Sequence, residues 1–177
     1  AFRLAGAHAD GVIIGDVSDP AVMATIIGWL EEGALQAGRT LADIDVLAWV
    51  STVVTTDPDG IRERLRRRVV ATALAAMSRV TRGLLGVDEA QIPQIMAARR
   101  DAAVPLSPDA IPDSLVDKVT LVGDAATIAA RIAALEAVGV NTMGFRMPVA
   151  LQEHISFSEN IERLQRDVMG VGVTSKE

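Results

Sequence analysis

The chain has no cysteine and no tyrosine, and only three Phe and two Trp among its 177 residues. Without Cys there is no disulfide, no thiolate-held metal and no Cys nucleophile. With aromatics so scarce, the core must be built from Ala, Val, Leu and Ile, which suits helices packed on parallel strands. Lysine is confined to Lys118 and Lys176, and the net charge is -6. Nucleic acid is therefore not an expected partner, since phosphate binding needs a basic footprint. No run reaches the roughly 18 apolar residues of a membrane span, and no charged-then-apolar leader opens the chain. The expectation is a soluble, cytoplasmic protein with no membrane partner. His8 and His154 stand far from any group at metal-ligand or nucleophile-base spacing, so no metal site is expected. An initiator Met is missing too: Ala1 to His8 reads as the last turns of a helix.

What is present is a β/α rhythm. Half the residues are hydrophobic, enough for one sizeable core. Val12-Ile13-Ile14 is a short apolar run of the kind buried on both faces of a parallel sheet. Asp19-Pro20 supplies an N-cap and a first-turn proline, and Val22, Met23, Ile26, Ile27, Leu30 and Ala34 follow at helical spacing up to a C-capping Gly38. Val46 to Thr55 reads as an internal strand, apolar on both faces. Asp57-Pro58 repeats the cap signal, and a long helix is expected to about Arg82, with Ile61, Leu65, Val69, Thr72 and Ala76 inside and the arginines Arg66, Arg67 and Arg68 on a solvated face.

From about 83 to 120 the rhythm breaks into a helical insertion. Asp88 with Gln91 reads as a capping box for a helix to about Arg100, and a short helix runs from near Pro112 to Val119. The rhythm resumes with a helix capped by Asp124 and closed by Gly139, then a strand from Asn141 to Met147. A last helix comes next, capped by Ser156 with Glu159 and carrying Ile161, Leu164 and Val168 inside, with a frayed tail from Gly170. Three strands are counted. They cannot close a barrel, and a three-stranded sheet would leave open edges.

The opening "RLAG…ADGV", the stretch "LEEGALQAGRTLADIDV" before the second strand, and "VGDAATIAARIAALEAVGV" before the last one resemble the second half of the luciferase-like oxidoreductases. Within that superfamily they are most similar to the methylenetetrahydromethanopterin reductase branch, which uses coenzyme F420. The resemblance implies an α/β fold, the C-terminal half of a (β/α)8 TIM barrel. The three strands would be the sixth to eighth, and residues 1–177 would form one partial domain with its insertion between strands seven and eight. It also implies hydride transfer between the deazaflavin F420 and a small carbon substrate, or, as the alternative, an FMN-dependent monooxygenase. In the family, the glycine-rich turn for the cofactor phosphate and the first four strands, with most ring contacts and the acid/base residues, precede the segment matched here. A third expectation is thus a non-catalytic, truncated or split-barrel fragment. Self-association, or association with the missing N-terminal half, is expected to cover the open edges.

Barrel active sites lie at the C-terminal ends of the strands. On that basis Gly15 and Asp16 are candidate cofactor-binding residues, and Ser18 and Arg146 candidate substrate-binding residues. The alternative for Gly15, Asp16 and Ser18 is a plain turn whose polar groups cap the next helix. For Arg146 it is a salt bridge to an acid on a neighbouring helix. No catalytic residue is identified.

Overall fold

The computed structural model describes residues 1–148, 151 and 155–170. The readings of His154 and of the tail beyond Gly170 lie outside these residues. The chain runs α1 (Phe2–His8), β1 (Gly11–Gly15), α2 (Pro20–Gln36), β2 (Asp45–Val54), α3 (Pro58–Leu65), α4 (Ala71–Ala76), α5 (Arg79–Leu85), α6 (Ile92–Arg100), α7 (Asp113–Val119), β3 (Thr120–Gly123), α8 (Ala125–Ala137), β4 (Thr142–Arg146) and α9 (Phe157–Arg163). Among the described residues, no helix is long and apolar enough to cross a membrane.

Local chemistry sets most helix starts. Asp19 accepts hydrogen bonds from Ala21 N and Val22 N, Asp124 from Thr127 N, and Ser156 from Glu159 N. Gly38 and Gly86 close α2 and α5 in the left-handed region, at φ 71° and 80°. The α2 stripe is buried as the spacing predicts, from Val22 to Ala34. Its partner α1 lies unusually close. A Cβ built on Gly33 would stand 1.8 Å from Arg3 O, and one on Gly6 would stand 2.0 Å from Leu30 O. Phe2 stacks on Trp29 at the end of this contact.

The sheet is entirely parallel and centred on β2, which is as long as β1 and β4 together. Trp49 pairs with Gly15 on one edge and Gly144 on the other, and Ser51 with Thr120 and Arg146. β1 and β3 therefore share one edge in tandem, and β4 holds the opposite edge. Two asparagines extend that β4 edge. Asn141 accepts from Val46 N and donates to Ile44 O before β4 begins. Asn160, on α9, accepts from Val54 N and donates to Thr52 O beyond its end. Each amide stands in for a strand neighbour.

Three expectations need correction. The sheet has four strands, not three: β3 comes directly after α7 with no turn residue between them, and its four residues are too short to show a period. The long helix ends at Ala76, because Ser78 caps a new one by accepting from Thr81 N. Before that, residues Arg66–Val70 form a π turn. A π turn adds a residue to the repeat and rotates the helix beyond it. Val70, Ala71, Ala73 and Leu74 are buried in place of Thr72 and Ala76. The same rotation turns Arg66 inward, to Glu63 and Asp113. Arg67 donates to the carbonyls of Ala98, Asp101 and Val104, capping α6, so only Arg68 keeps the solvated role.

The main core lies between one face of β2 (Val46, Ala48, Val50) and Met23, Ile26, Leu30, Leu65, Leu74 and Val116 of the helices. The other face carries Leu47, Trp49 and Ser51, the alternate residues of the strand, and it is only partly covered. Ile13 is 70% exposed and Trp49 42%.

Candidate functional site

The C-terminal ends of β1 and β4 converge across β2 at this uncovered face. β1 ends at Gly15, and Asp16 is the only residue other than glycine with positive φ among those described, at 55°. Its N–H still donates to Trp49 O, at 2.9 Å. The kink swings the Asp16 carboxylate across β2 to Arg146, whose Nη2 donates to Asp16 Oδ1. Between them, Ser51 Oγ accepts from Arg146 Nε at 3.0 Å and from Nη2 at 2.8 Å. Ser51 is fully buried, and the carboxylate and guanidinium are half-buried. Burial pushes the Asp16 carboxyl above its ordinary value, and this outweighs the opposing charge and hydrogen bond of Arg146.

The surroundings are open and apolar. A Cβ on Gly15 would meet nothing within 4 Å, whereas one on Gly144 would strike the Trp49 ring at 2.3 Å. Trp49 therefore lies across the backbone of Gly144, and glycine is required there. A cleft of about 270 Å³ runs along the β1 edge, lined by Phe2, Ile13, Gly15, Asp16, Met77 and Thr81. The face thus presents an apolar ledge with one anion-cation pair at its rim.

Of the four candidates, Gly15, Asp16 and Arg146 come together, and the acid facing Arg146 sits on a strand end instead of a helix. Ser18 does not join them. It is fully buried, and its hydroxyl lies 2.9 Å from both Asp117 O and Thr120 O, while its N–H donates to Lys118 O. Arg131 Nη2 donates to the same hydroxyl and to Asp117 O. Ser18 pins the end of α7 and the start of β3, away from the pair at the rim. Ser51 was missed by sequence reasoning. Its signal was a lone hydroxyl on the otherwise apolar Leu47-Trp49 face, two residues on from Trp49. Thr55 Oγ1 accepts from Asp57 N, the residue that caps α3. His8 is exposed, and no cluster of three metal-ligating side chains exists among the described residues.

Comparison with known proteins gives consistent results. The luciferase-like monooxygenase family model matches residues 1–142. The 5,10-methylenetetrahydromethanopterin reductase of Methanopyrus kandleri is 27% identical over 148 residues, which are 84% of this chain and 42% of that protein. The structure of the coenzyme F420 dependent tetrahydromethanopterin reductase from Methanopyrus kandleri superposes with a TM-score of 0.77 at 25% identity, covering 96% of this chain and 47% of that one. An F420-dependent secondary alcohol dehydrogenase, in complex with an F420-acetone adduct, shares the fold with a TM-score of 0.63 at 17% identity, covering 97% of this chain and 46% of that one. The chain spans less than half the length of each of these relatives. Its order of elements, its parallel sheet and the family match agree: the chain belongs to the luciferase-like monooxygenase family.

Proposed function

We propose that β1, β2 and β4 of this chain are strands six to eight of a (β/α)8 barrel oxidoreductase that transfers a hydride between coenzyme F420 and a small carbon substrate, with the short β3 an addition on the β1 edge. The likeness to the methylenetetrahydromethanopterin reductase, over 84% of this chain, carries the reading. The uncovered face supports it. Ile13, Leu47 and Trp49 form the kind of apolar wall that a barrel fills with side chains from its other strands. In the working protein those strands come from a segment preceding Ala1 or from another chain.

The rim fits a flat heteroaromatic cofactor in two respects: open space over Gly15, and a polar group at Asp16 beside an apolar ledge. Gly15 and Asp16 stand on the cofactor side, where backbone can approach a ring closely. Arg146 stands on the substrate side, where a guanidinium can hold an anionic or carbonyl oxygen. The cofactor supplies the hydride chemistry; these residues bind, orient and exclude water.

Titrating the full-length protein with F420 and with FMN, monitored by cofactor fluorescence, tests the proposal. Saturable F420 binding is expected. Tight FMN binding without F420 binding would replace the reading with the FMN-dependent monooxygenase. The 177-residue chain alone is expected to self-associate through its uncovered face and open edges, and a clean monomer by light scattering would count against that.

A further inference from the structure

The pair at the rim is lopsided. Arg146 holds Ser51 with Nε and Nη2, so its guanidinium cannot turn away from the face. Asp16 takes only Nη2, through a single oxygen, Oδ1. Among the described residues Nη1 makes no hydrogen bond, and the Arg146 side chain is 38% exposed. A guanidinium offers its two Nη groups as a fork that a carboxylate fills with both oxygens, and the two-point bond is stronger and more directional than the one-point bond. Asp16 fills half of that fork. It does so from a backbone conformation that only glycine and, less readily, Asn and Asp adopt, and from a site where burial disfavours its charge.

From this geometry we infer that Asp16 is an internal stand-in for a ligand carboxylate. Arg146 is a seat for a carboxylate-bearing ligand, which displaces Asp16 from Nη2 and takes Nη1 as well, and Ser51 is the positioning residue that keeps the seat facing the ledge. The inference rests on the reading of the rim as the substrate side of an oxidoreductase, and it narrows the substrate class to molecules carrying a carboxylate. It also gives Asp16 a gating role: the ligand must outcompete it.

Acetate is a sufficient probe, and no cofactor is needed. Titrating the 15N-arginine-labelled full-length protein, free of cofactor, with sodium acetate, at ionic strength held constant with sodium chloride, reports on the seat through the Arg146 Nε–H resonance. Asp16→Asn keeps a residue that tolerates the left-handed backbone and removes the competing charge. It is expected to bind acetate about tenfold or more tightly than the unsubstituted protein, because a neutral amide oxygen competes for Nη2 more weakly than a carboxylate does. Arg146→Gln lacks the reporting group, so its acetate binding is followed by isothermal titration calorimetry beside the unsubstituted protein, and it should bind no acetate. Ser51→Ala should weaken binding and shift or broaden the Nε–H resonance before acetate is added, a signature that general loss of packing does not produce at one guanidinium. Equal or weaker binding by Asp16→Asn would overturn the inference and leave the pair as a structural ion bridge; so would undiminished binding by Arg146→Gln. Because no cofactor is present, acetate binding can fail while F420 binding succeeds, and the reverse, so the two proposals fall separately.

Discussion

The two asparagines beside β2 differ in one respect, and that difference makes a sharp test. Asn160 is 1% exposed and bonds Val54 N–H at 3.0 Å and Thr52 C=O at 2.9 Å. Asn141 bonds the same kind of backbone pair, Val46 N–H at 2.9 Å and Ile44 C=O at 3.3 Å, but is itself exposed. Replacing Asn160 with Ala strands a donor and an acceptor in the core. A buried polar group left unpaired costs about 1–3 kcal/mol, so the pair should cost roughly 2–6 kcal/mol. That is a large share of the roughly 5–15 kcal/mol that holds a domain together. At this chain length it corresponds to a fall in Tm of roughly 4–24 °C. Asn141→Ala exposes its two groups to water, which replaces the amide, so about 1 kcal/mol or less is expected. Urea denaturation of the two variants, with the slope m unchanged, measures both numbers. If Asn160→Ala costs less than about 1 kcal/mol, or if the two variants cost the same, then burial does not set the value of these side chains and the reasoning fails.

Glycines on α2 provide a second contrast. Gly33→Ala places a methyl 1.8 Å from Arg3 O and must push α1 away, whereas Gly28→Ala meets nothing within 4 Å. By thermal denaturation Gly33→Ala should lose about 1–3 kcal/mol, while Gly28→Ala gains up to about 1 kcal/mol from helix propensity; a gain at both positions would refute the close crossing. Gly144→Val should displace Trp49, detected as a red-shifted, more quenchable tryptophan emission, and an unchanged spectrum would show that the ring does not lie on that strand. For Asp16, burial raises the carboxyl above 3.8 in the folded chain. Between the unfolded and folded values the native state holds more protons than the unfolded one, so this group's contribution to stability falls as pH rises through that window. The stability of the unsubstituted chain relative to Asp16→Asn should therefore decline with rising pH just above 3.8, and the opposite slope would reverse the assigned cause.

Features written in local chemistry were legible. Asp19, Asp124 and Ser156 were readable as caps because a cap needs one side chain and two or three neighbouring N–H groups. The β/α alternation and the α2 stripe were readable because each has a strong period. Features set by distant pairing were not. Asp16 and Arg146 each stood out as a polar residue at a strand end, yet their meeting depends on the register of β4 against β2, and nothing in the chain between them encodes that. Ser18 stood out by the same rule and points elsewhere, because the turn after β1 aims its hydroxyl at α7. The π turn was invisible for a related reason: Arg66-Arg67-Arg68 fits a solvated face until one extra residue per turn rotates two of them inward.

The left-handed turn at Asp16 has a topological origin. β1 and β3 occupy the same edge of β2 end to end, with Gly15 opposite Trp49 and Thr120 opposite Ser51, so a single position of the central strand separates them. One chain must leave the plane within a residue to make room for the other, and Asp16 is where it leaves. The slot between the two segments aims a carboxylate at the far side of the sheet. Conformation at the rim is thereby tied to the segment that delivers β3: a change in the length of residues 77–119 that drew Thr120 back would remove the need for the turn and let Asp16 relax away from Arg146. The helical stretch that delivers β3, most of it away from the ledge although Met77 and Thr81 line the cleft, thus becomes a means of tuning the rim.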